Sequence, residues 1–261
     1  MITITDVKLR GGEQAVVTVD DGATKTPHVT THQLVVRYHL EAGRTLTQDE
    51  FRTFIAANEF DLLYNKALSY LSYQMRTISE VKKHLRKSTT DERLIAKLIA
   101  ALKQNNYLSD SRYVEEYVTE KMQFDLIGPI RIKEKLIQKG IHYDLIDAEL
   151  IRFSGDIEYD KVSELIQKEI RHRLKKPYRK AIDSLKRKCV TKGFHLNVID
   201  AAILSMKEDI MAQIDERDLL ETAFLKLKKG VDLDDYEQRQ KLMHKLMSKG
   251  FSYELVKDIV K

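Results

Sequence analysis

"QKGIHYDLID" occupies residues 138–147, and its skeleton returns as "TKGFHLNVID" from Thr191 and "SKGFSYELVK" from Ser248. Each copy carries a lysine, a glycine and an apolar residue, followed by a pair of apolar positions: Leu145/Ile146, Val198/Ile199 and Leu255/Val256. A helix that stops with Gly140 in the left-handed conformation puts Leu136 and Ile141 at the two sites of the Schellman motif's apolar contact. The equivalent pairs are Cys189 with Phe194 and Leu246 with Phe251. Three copies that keep both the glycine and the contact point to one structural unit used repeatedly.

A weaker fourth copy precedes them. Leu85 lies 51 residues before Leu136, with Leu94/Ile95 where Leu145/Ile146 fall, and the later anchors follow at offsets of 53 and 57. Thr89 stands in place of the glycine, so that helix must stop by other means. Spacings of this size hold three short helices each. The pattern predicts first helices at 61–74, 110–125, 157–174 and 215–229. Second helices are predicted at 78–87, 129–139, 177–191 and 235–248, and third helices at 91–104, 143–152, 195–210 and 252–260. Pro129 and Pro177 fit first-turn positions, where a missing amide costs little. In "NYLSDSRYV" (106–114), Ser109 reads as an N-cap and Leu108 with Tyr113 as a hydrophobic staple.

The first 40 residues differ from the rest. "ITITDVKL", "QAVVTV" and "HQLVVRYHL" are β-branched runs broken by "RGGE" and "DDGATKTP", and they read as a small antiparallel sheet. Thr47 and Glu50 have capping-box spacing at the start of the helical part. The expected fold is therefore mainly α: tandem three-helix repeats forming an elongated curved solenoid, with a small N-terminal antiparallel β-sheet region. Its divisions are 1–60 for the β-rich region with a short helix, then repeats at 61–105, 106–153, 154–211 and 212–261.

Composition narrows the functional classes. The chain has 261 residues and a net charge of +5, but residues 1–60 carry six Lys/Arg against eight Asp/Glu, so the remainder is the basic part. Cys189 is the single cysteine, which rules out an intrachain disulfide and fits a reducing, cytoplasmic setting. No stretch approaches the ~18 apolar residues that a membrane span needs, and no export signal opens the chain. The eight histidines lack metal-ligand spacing, and no glycine loop, nucleophile elbow or Cys/His arrangement suggests catalysis or a cofactor. The paired acids Asp234/Asp235 read as helix caps, with Asp234 and Glu237 at a helix start.

The combination "ALSYLSYQMRTISEVKKHL" (67–85), "NYLSDSRYV", "GPIRIKEKLIQKGI" (128–141) and the recurring Lys-Gly-apolar stop resembles the RecX family of bacterial recombination regulators. The resemblance covers residues 61–261 and is strongest over 67–150. The N-terminal sheet and the fourth repeat resemble the longer form of Firmicutes-type members. The resemblance implies a non-enzymatic inhibitor of the RecA recombinase that lies in the groove of the RecA–DNA filament and limits its extension. Homologous recombination, DNA repair and the SOS response are the processes such a protein modulates. This sequence departs from the family pattern at Thr89, and at His142 and His195 where acids are usual, so local capping must differ there.

Independently of any family, the second helices are basic. The candidate filament or DNA contacts are Lys82, Lys83, Arg86 and Lys87; Arg112; Arg131, Lys133, Lys135 and Lys139; and Arg171, Arg173, Lys175, Lys176, Arg179, Lys180, Arg187, Lys188 and Lys192. Residues 171–192 hold ten Lys/Arg against Asp183 alone, more than helix capping needs. A polyanion on such a surface would gain by counterion release, with strong salt dependence and little sequence preference. The expected partners are the RecA filament and single- or double-stranded DNA, with no membrane and with the chain acting as a monomer. Two other readings stay open: a general DNA-binding protein that competes with RecA for DNA, and a helical scaffold for an acidic protein.

Overall fold

The computed structural model describes residues 1–260. They form two compact units, Met1–Tyr113 with Lys139–Ile141, and Val114–Gln138 with the chain from His142 onward.

The first unit opens with β1 (Ile2–Leu9), β2 (Gln14–Asp20), β3 (Lys25–Thr31) and the two-residue β4 (Thr45–Leu46), an antiparallel sheet of order β3-β2-β1-β4. Ala15, Val17 and Val19 are buried along β2 while their neighbours are not, the period-two pattern of a sheet covered on one face. A register shift between Ile4 and Asp6 ends that alternation in β1. Two expectations are corrected here. "HQLVVRYHL" is not a strand: His32–Arg37 is a short helix, α1, and the third strand is Lys25–Thr31, which begins inside the stretch "DDGATKTP" read as a break. Thr31 makes the difference, because its hydroxyl accepts the Leu34 amide as an N-cap and lets Leu34 drop into the core. Pro27 is tolerated because β3 lies at the sheet edge.

The second correction concerns α2 (Gln48–Ser72). It starts at the Thr47/Glu50 capping box, as expected, but runs unbroken for 25 residues through residue 60. Its first half covers the sheet, placing Phe54 among Ile2, Ile4, Val17 and Val19. Its second half gives Leu63 and Ala67 to a cluster with Val81, Leu85, Leu98 and Leu102 from α3 (Ile78–Leu85) and α4 (Glu92–Gln104). Each leucine or valine among them, fully buried, contributes about 1.5–3 kcal/mol. Where glycine is missing, α3 stops by donating the Ser88 and Thr89 amides to the Leu85 carbonyl, at 2.8 and 3.2 Å. Asp91 then caps α4 by accepting the Arg93 and Leu94 amides.

The remaining helices are α5 (Asp110–Phe124), α6 (Pro129–Gln138), α7 (Tyr143–Leu150), α8 (Gly155–Glu169), α9 (Tyr178–Thr191), α10 (Leu196–Ser205), α11 (Lys207–Ala212), α12 (Glu216–Leu227), α13 (Tyr236–Ser248) and α14 (Tyr253–Ile259). They form three-helix groups α5–α7, α8–α10 and α12–α14, with α11 as an extra turn where the predicted 195–210 helix breaks at Met206. The third group buries Val162, Ile166, Leu185, Phe194 and Ile199, and the fourth Leu220, Leu242, Leu246, Phe251 and Val256. α8 ends five residues before the predicted 174, and Pro177 sits at the N-cap of α9 rather than inside its first turn. The acid at the start of α13 is Asp235, which accepts the Glu237 and Gln238 amides, not Asp234. Cys189 is a core residue, 1% exposed, and burial pushes its thiol up to about 11.

The recurring glycine stop has two jobs. At the end of α9, Phe194 donates to the Cys189 carbonyl and Gly193 to the Val190 carbonyl, the paired bonds of a Schellman motif, with Gly193 at φ +88. The same turn docks on the start of α6: Gly128 donates to the Lys192 carbonyl at 2.8 Å and Ile130 to the Gly193 carbonyl at 3.1 Å. A Cβ on Gly193 would lie 2.3 Å from the Arg131 nitrogen. Within the first unit, Lys139–Ile141 docks in the same way on the start of α3. The Thr77 hydroxyl donates to the Lys139 carbonyl at 2.9 Å, and a Cβ on Gly140 would meet Ser79 at 2.5 Å. Gly250 repeats the approach against Lys180 at the start of α9. Within the second unit the stop is therefore also the joint between successive second helices, α6 with α9 and α9 with α13.

The α3 joint is reinforced by charge. Thr77 and Glu80 form a reciprocal capping box, Lys139 Nζ lies 2.7 Å from Glu80 Oε1, and Asp110 accepts the Ile78 amide at 2.8 Å. Burial pushes the Glu80 carboxyl up, but the Lys139 and Thr77 hydrogen bonds outweigh it and hold the group below its ordinary 4.5. The stabilisation is thus present above that value and lost as pH falls through the lowered folded one. Glu80→Gln is expected to lower the urea midpoint at neutral pH and to flatten the loss of stability as pH falls below about 4.5. An unchanged profile would remove Glu80 from the joint's electrostatics.

Candidate nucleic-acid interface

The expected contact residues sort by what they already touch. At the end of α3, Arg86 makes a two-pronged bond to Glu92 at 2.7 and 3.0 Å, while Lys82, Lys83 and Lys87 have no carboxylate within 4 Å among the described residues. On α6, Arg131 pairs with Glu134 at 3.0 Å and Lys133 with Asp147 at 2.5 Å, leaving Lys135 exposed and without an ion-pair partner among the described residues. Arg112 is exposed on α5 and has intramolecular interactions of its own. Lys139 is drawn inward. Held by Glu80 and lying 5.4 Å over the Tyr113 ring, it acts first as a joint residue. Surface pairs such as Arg86–Glu92 contribute little to stability; the Lys139 pair is the exception.

The dense segment 171–192 spans the α8–α9 loop and α9 itself. The loop is fixed at two points, by the Leu174 amide donating to the Gln213 carbonyl at 2.8 Å and by the Arg173–Asp215 ion pair. Arg171, Lys175 and Lys176 surround those anchors, all exposed. On α9, Lys188 pairs with Glu169 and Lys186 with Asp200, and Arg187 Nε donates to the Asp183 carbonyl. Arg179, Lys180 and Lys192 have no ion-pair partner among the described residues. The concentration of unpaired cations in one loop and helix is the feature that a polyanion would meet first.

The two histidines that follow glycine stops are accommodated locally. His142 caps α7 through Nδ1, which accepts the Asp144 amide at 3.4 Å. His195 offers no side-chain cap; instead the buried Glu158 accepts its amide at 2.6 Å and lies 2.9 Å from its ring nitrogen. Two further cations gather with the segment, Lys226 of α12, which sequence reasoning missed, and Lys249 of the last glycine stop, and they share a cavity with Lys175, Lys176, Lys180 and Arg187. Lys249 was visible as the lysine of its Lys-Gly stop; Lys226 had no signal in the chain pattern.

Comparison with known proteins agrees with this architecture. Family models for RecX match in three places: the first three-helix domain over residues 64–102, the second over 109–150 and the third over 217–260. A regulatory protein RecX of Streptococcus agalactiae is 28% identical over 235 residues, 88% of this chain and 89% of its own length. That of Bacillus cytotoxicus is 27% identical over 253 residues, 97% of this chain and 94% of its own. The crystal structure of a regulatory protein RecX superposes with a TM-score of 0.62 at 25% identity, covering 77% of this chain and 98% of that one. RecX from Lactobacillus salivarius gives 0.55 at 32% identity, over 58% and 98%.

Proposed function

Because this chain belongs to the RecX family, we infer that it is a regulator of the RecA recombinase, one that binds the RecA–DNA filament and limits its extension without chemistry of its own. The observation that carries the reading is the set of unpaired cations on the α8–α9 loop and α9, with lesser groups at the ends of α3 and α6. Such a surface suits the phosphates of filament DNA or the acidic residues of a protein groove. Several three-helix groups in tandem would let one molecule reach more than one protomer.

The test is ATP hydrolysis by RecA assembled on single-stranded DNA, with this protein added well below the concentration of DNA sites. Progressive loss of hydrolysis at that ratio is the expected result, because blocking ends or bridging protomers acts on many subunits at once. Loss only when the protein saturates the DNA would favour the competing view of a general DNA binder. No loss at any ratio would overturn the assignment to RecA.

A further inference from the structure

A cavity of about 470 Å³ opens between the start of α9, one side of α12 and the glycine stop after α13. Six cationic side chains line it: Lys175, Lys176, Lys180, Arg187, Lys226 and Lys249, with no carboxylate among the lining residues. Its floor is apolar, made by Leu219, Ala223, Leu227 and Phe251. The neighbouring α9 cations behave differently, since Lys186 and Lys188 each have a carboxylate partner. Among the described residues, Lys176 reaches only the Ser184 hydroxyl and Arg187 only a backbone carbonyl. Six like charges around one concavity repel one another, and low-dielectric walls strengthen that field. An anion seated there removes the repulsion and bonds to three elements at once.

We propose that this cavity binds the condensed phosphate chain of a nucleoside triphosphate or of an inorganic polyphosphate, and so ties the fourth three-helix group to the third. Charge matching selects the ligand. A nucleic-acid strand brings one charge per nucleotide, and a cavity of about 470 Å³ admits little more than one nucleotide. A triphosphate brings about four charges into the same space. Lysine and arginine donors around the rim suit terminal and bridging phosphate oxygens, Arg187 being able to offer two parallel donors. Base recognition is absent from the design: Thr222 is the one neutral hydrogen-bonding side chain in the lining, and the aliphatic floor accepts any base or none.

The experiment is titration calorimetry on the full chain at near-physiological salt, without RecA, with tripolyphosphate, ATP, orthophosphate and a short oligothymidylate as separate ligands. Single-site binding of tripolyphosphate and ATP, on the order of tenfold or more tighter than orthophosphate, is expected. The ligand should also raise the melting temperature, as any ligand selective for the folded state must. Equal affinities would assign the phosphate chain alone as ligand, and tighter ATP would assign the nucleotide. The double variant K175Q/K226Q removes two exposed charges and is expected to weaken binding about tenfold, whereas K257Q, outside the cavity, should bind as the parent does. The proposal is overturned if orthophosphate binds as well as tripolyphosphate, or if the oligonucleotide displaces tripolyphosphate equally per phosphate. It is also overturned if K175Q/K226Q, folded by circular dichroism, binds unchanged. With no RecA in the cell, such failures leave the filament reading standing.

Discussion

Replacing Gly193 with alanine is expected to destabilise the unit that contains it by about 2–5 kcal/mol, the sum of two penalties. A left-handed conformation at φ +88 costs a non-glycine residue about 1–2 kcal/mol. Crowding adds a similar amount, about 1–3 kcal/mol, because the new Cβ would lie 2.3 Å from the Arg131 nitrogen and 2.9 Å from its Cα. Backbone cannot swing aside as a lysine tip can, so α9 would have to lift from α6, weakening the Gly128 and Ile130 hydrogen bonds. Gly230→Ala is the matched control: its φ is +76, but nothing lies within 4 Å of the added carbon. It should cost only the conformational part. Urea unfolding of both variants reads the difference directly, and equal midpoints would mean that the glycine serves the helix stop alone.

Arg171→Gln combined with Arg179→Gln is expected to reduce inhibition of RecA on the order of tenfold while leaving the fold intact, because both side chains are exposed and have no ion-pair partner among the described residues. If each meets one phosphate, the slope of log affinity against log salt on single-stranded DNA should fall by roughly 1.4, at about 0.7 per contact. Arg131→Gln with Lys133→Gln should do less, since these cations already hold Glu134 and Asp147 and must exchange partners to bind DNA. Inhibition assays and salt titrations of both pairs separate the cases. Equal losses would show that total charge, and not the unpaired set on α9 and its preceding loop, governs binding.

The candidate interface was legible as a density of charge and illegible as a set of contacts. Ten cations in residues 171–192 stand out in the chain, but which of them are free depends on carboxylates far away in sequence, such as Glu169 for Lys188 and Asp215 for Arg173. Lys139 shows the limit most clearly. It shares the helical spacing of the other candidates, and an acid 59 residues earlier holds it at the joint. Lys226 joined the basic cavity only through the packing of α12 near α9.

Local chemistry was enough for the repeat, its helix stops and most of its caps. Gly140, Gly193 and Gly250 all take positive φ, and the apolar partners Ile141, Phe194 and Phe251 are buried, because a glycine helix stop with its apolar partner is encoded within six residues. The same locality explains the Thr47 and Ser109 caps. Where a segment's state depended on distant partners, the chain pattern misled: "HQLVVRYHL" has strand-forming residues, yet Thr31 and the sheet core turn its first part into α1. Residue 60 carries no break, and α2 runs on because its two halves bury different faces of the first unit. The second duty of each glycine, as the bare surface on which the preceding second helix begins, exists only in the folded molecule, since the atoms that forbid a side chain there come from residues about 60 to 70 positions earlier in the chain.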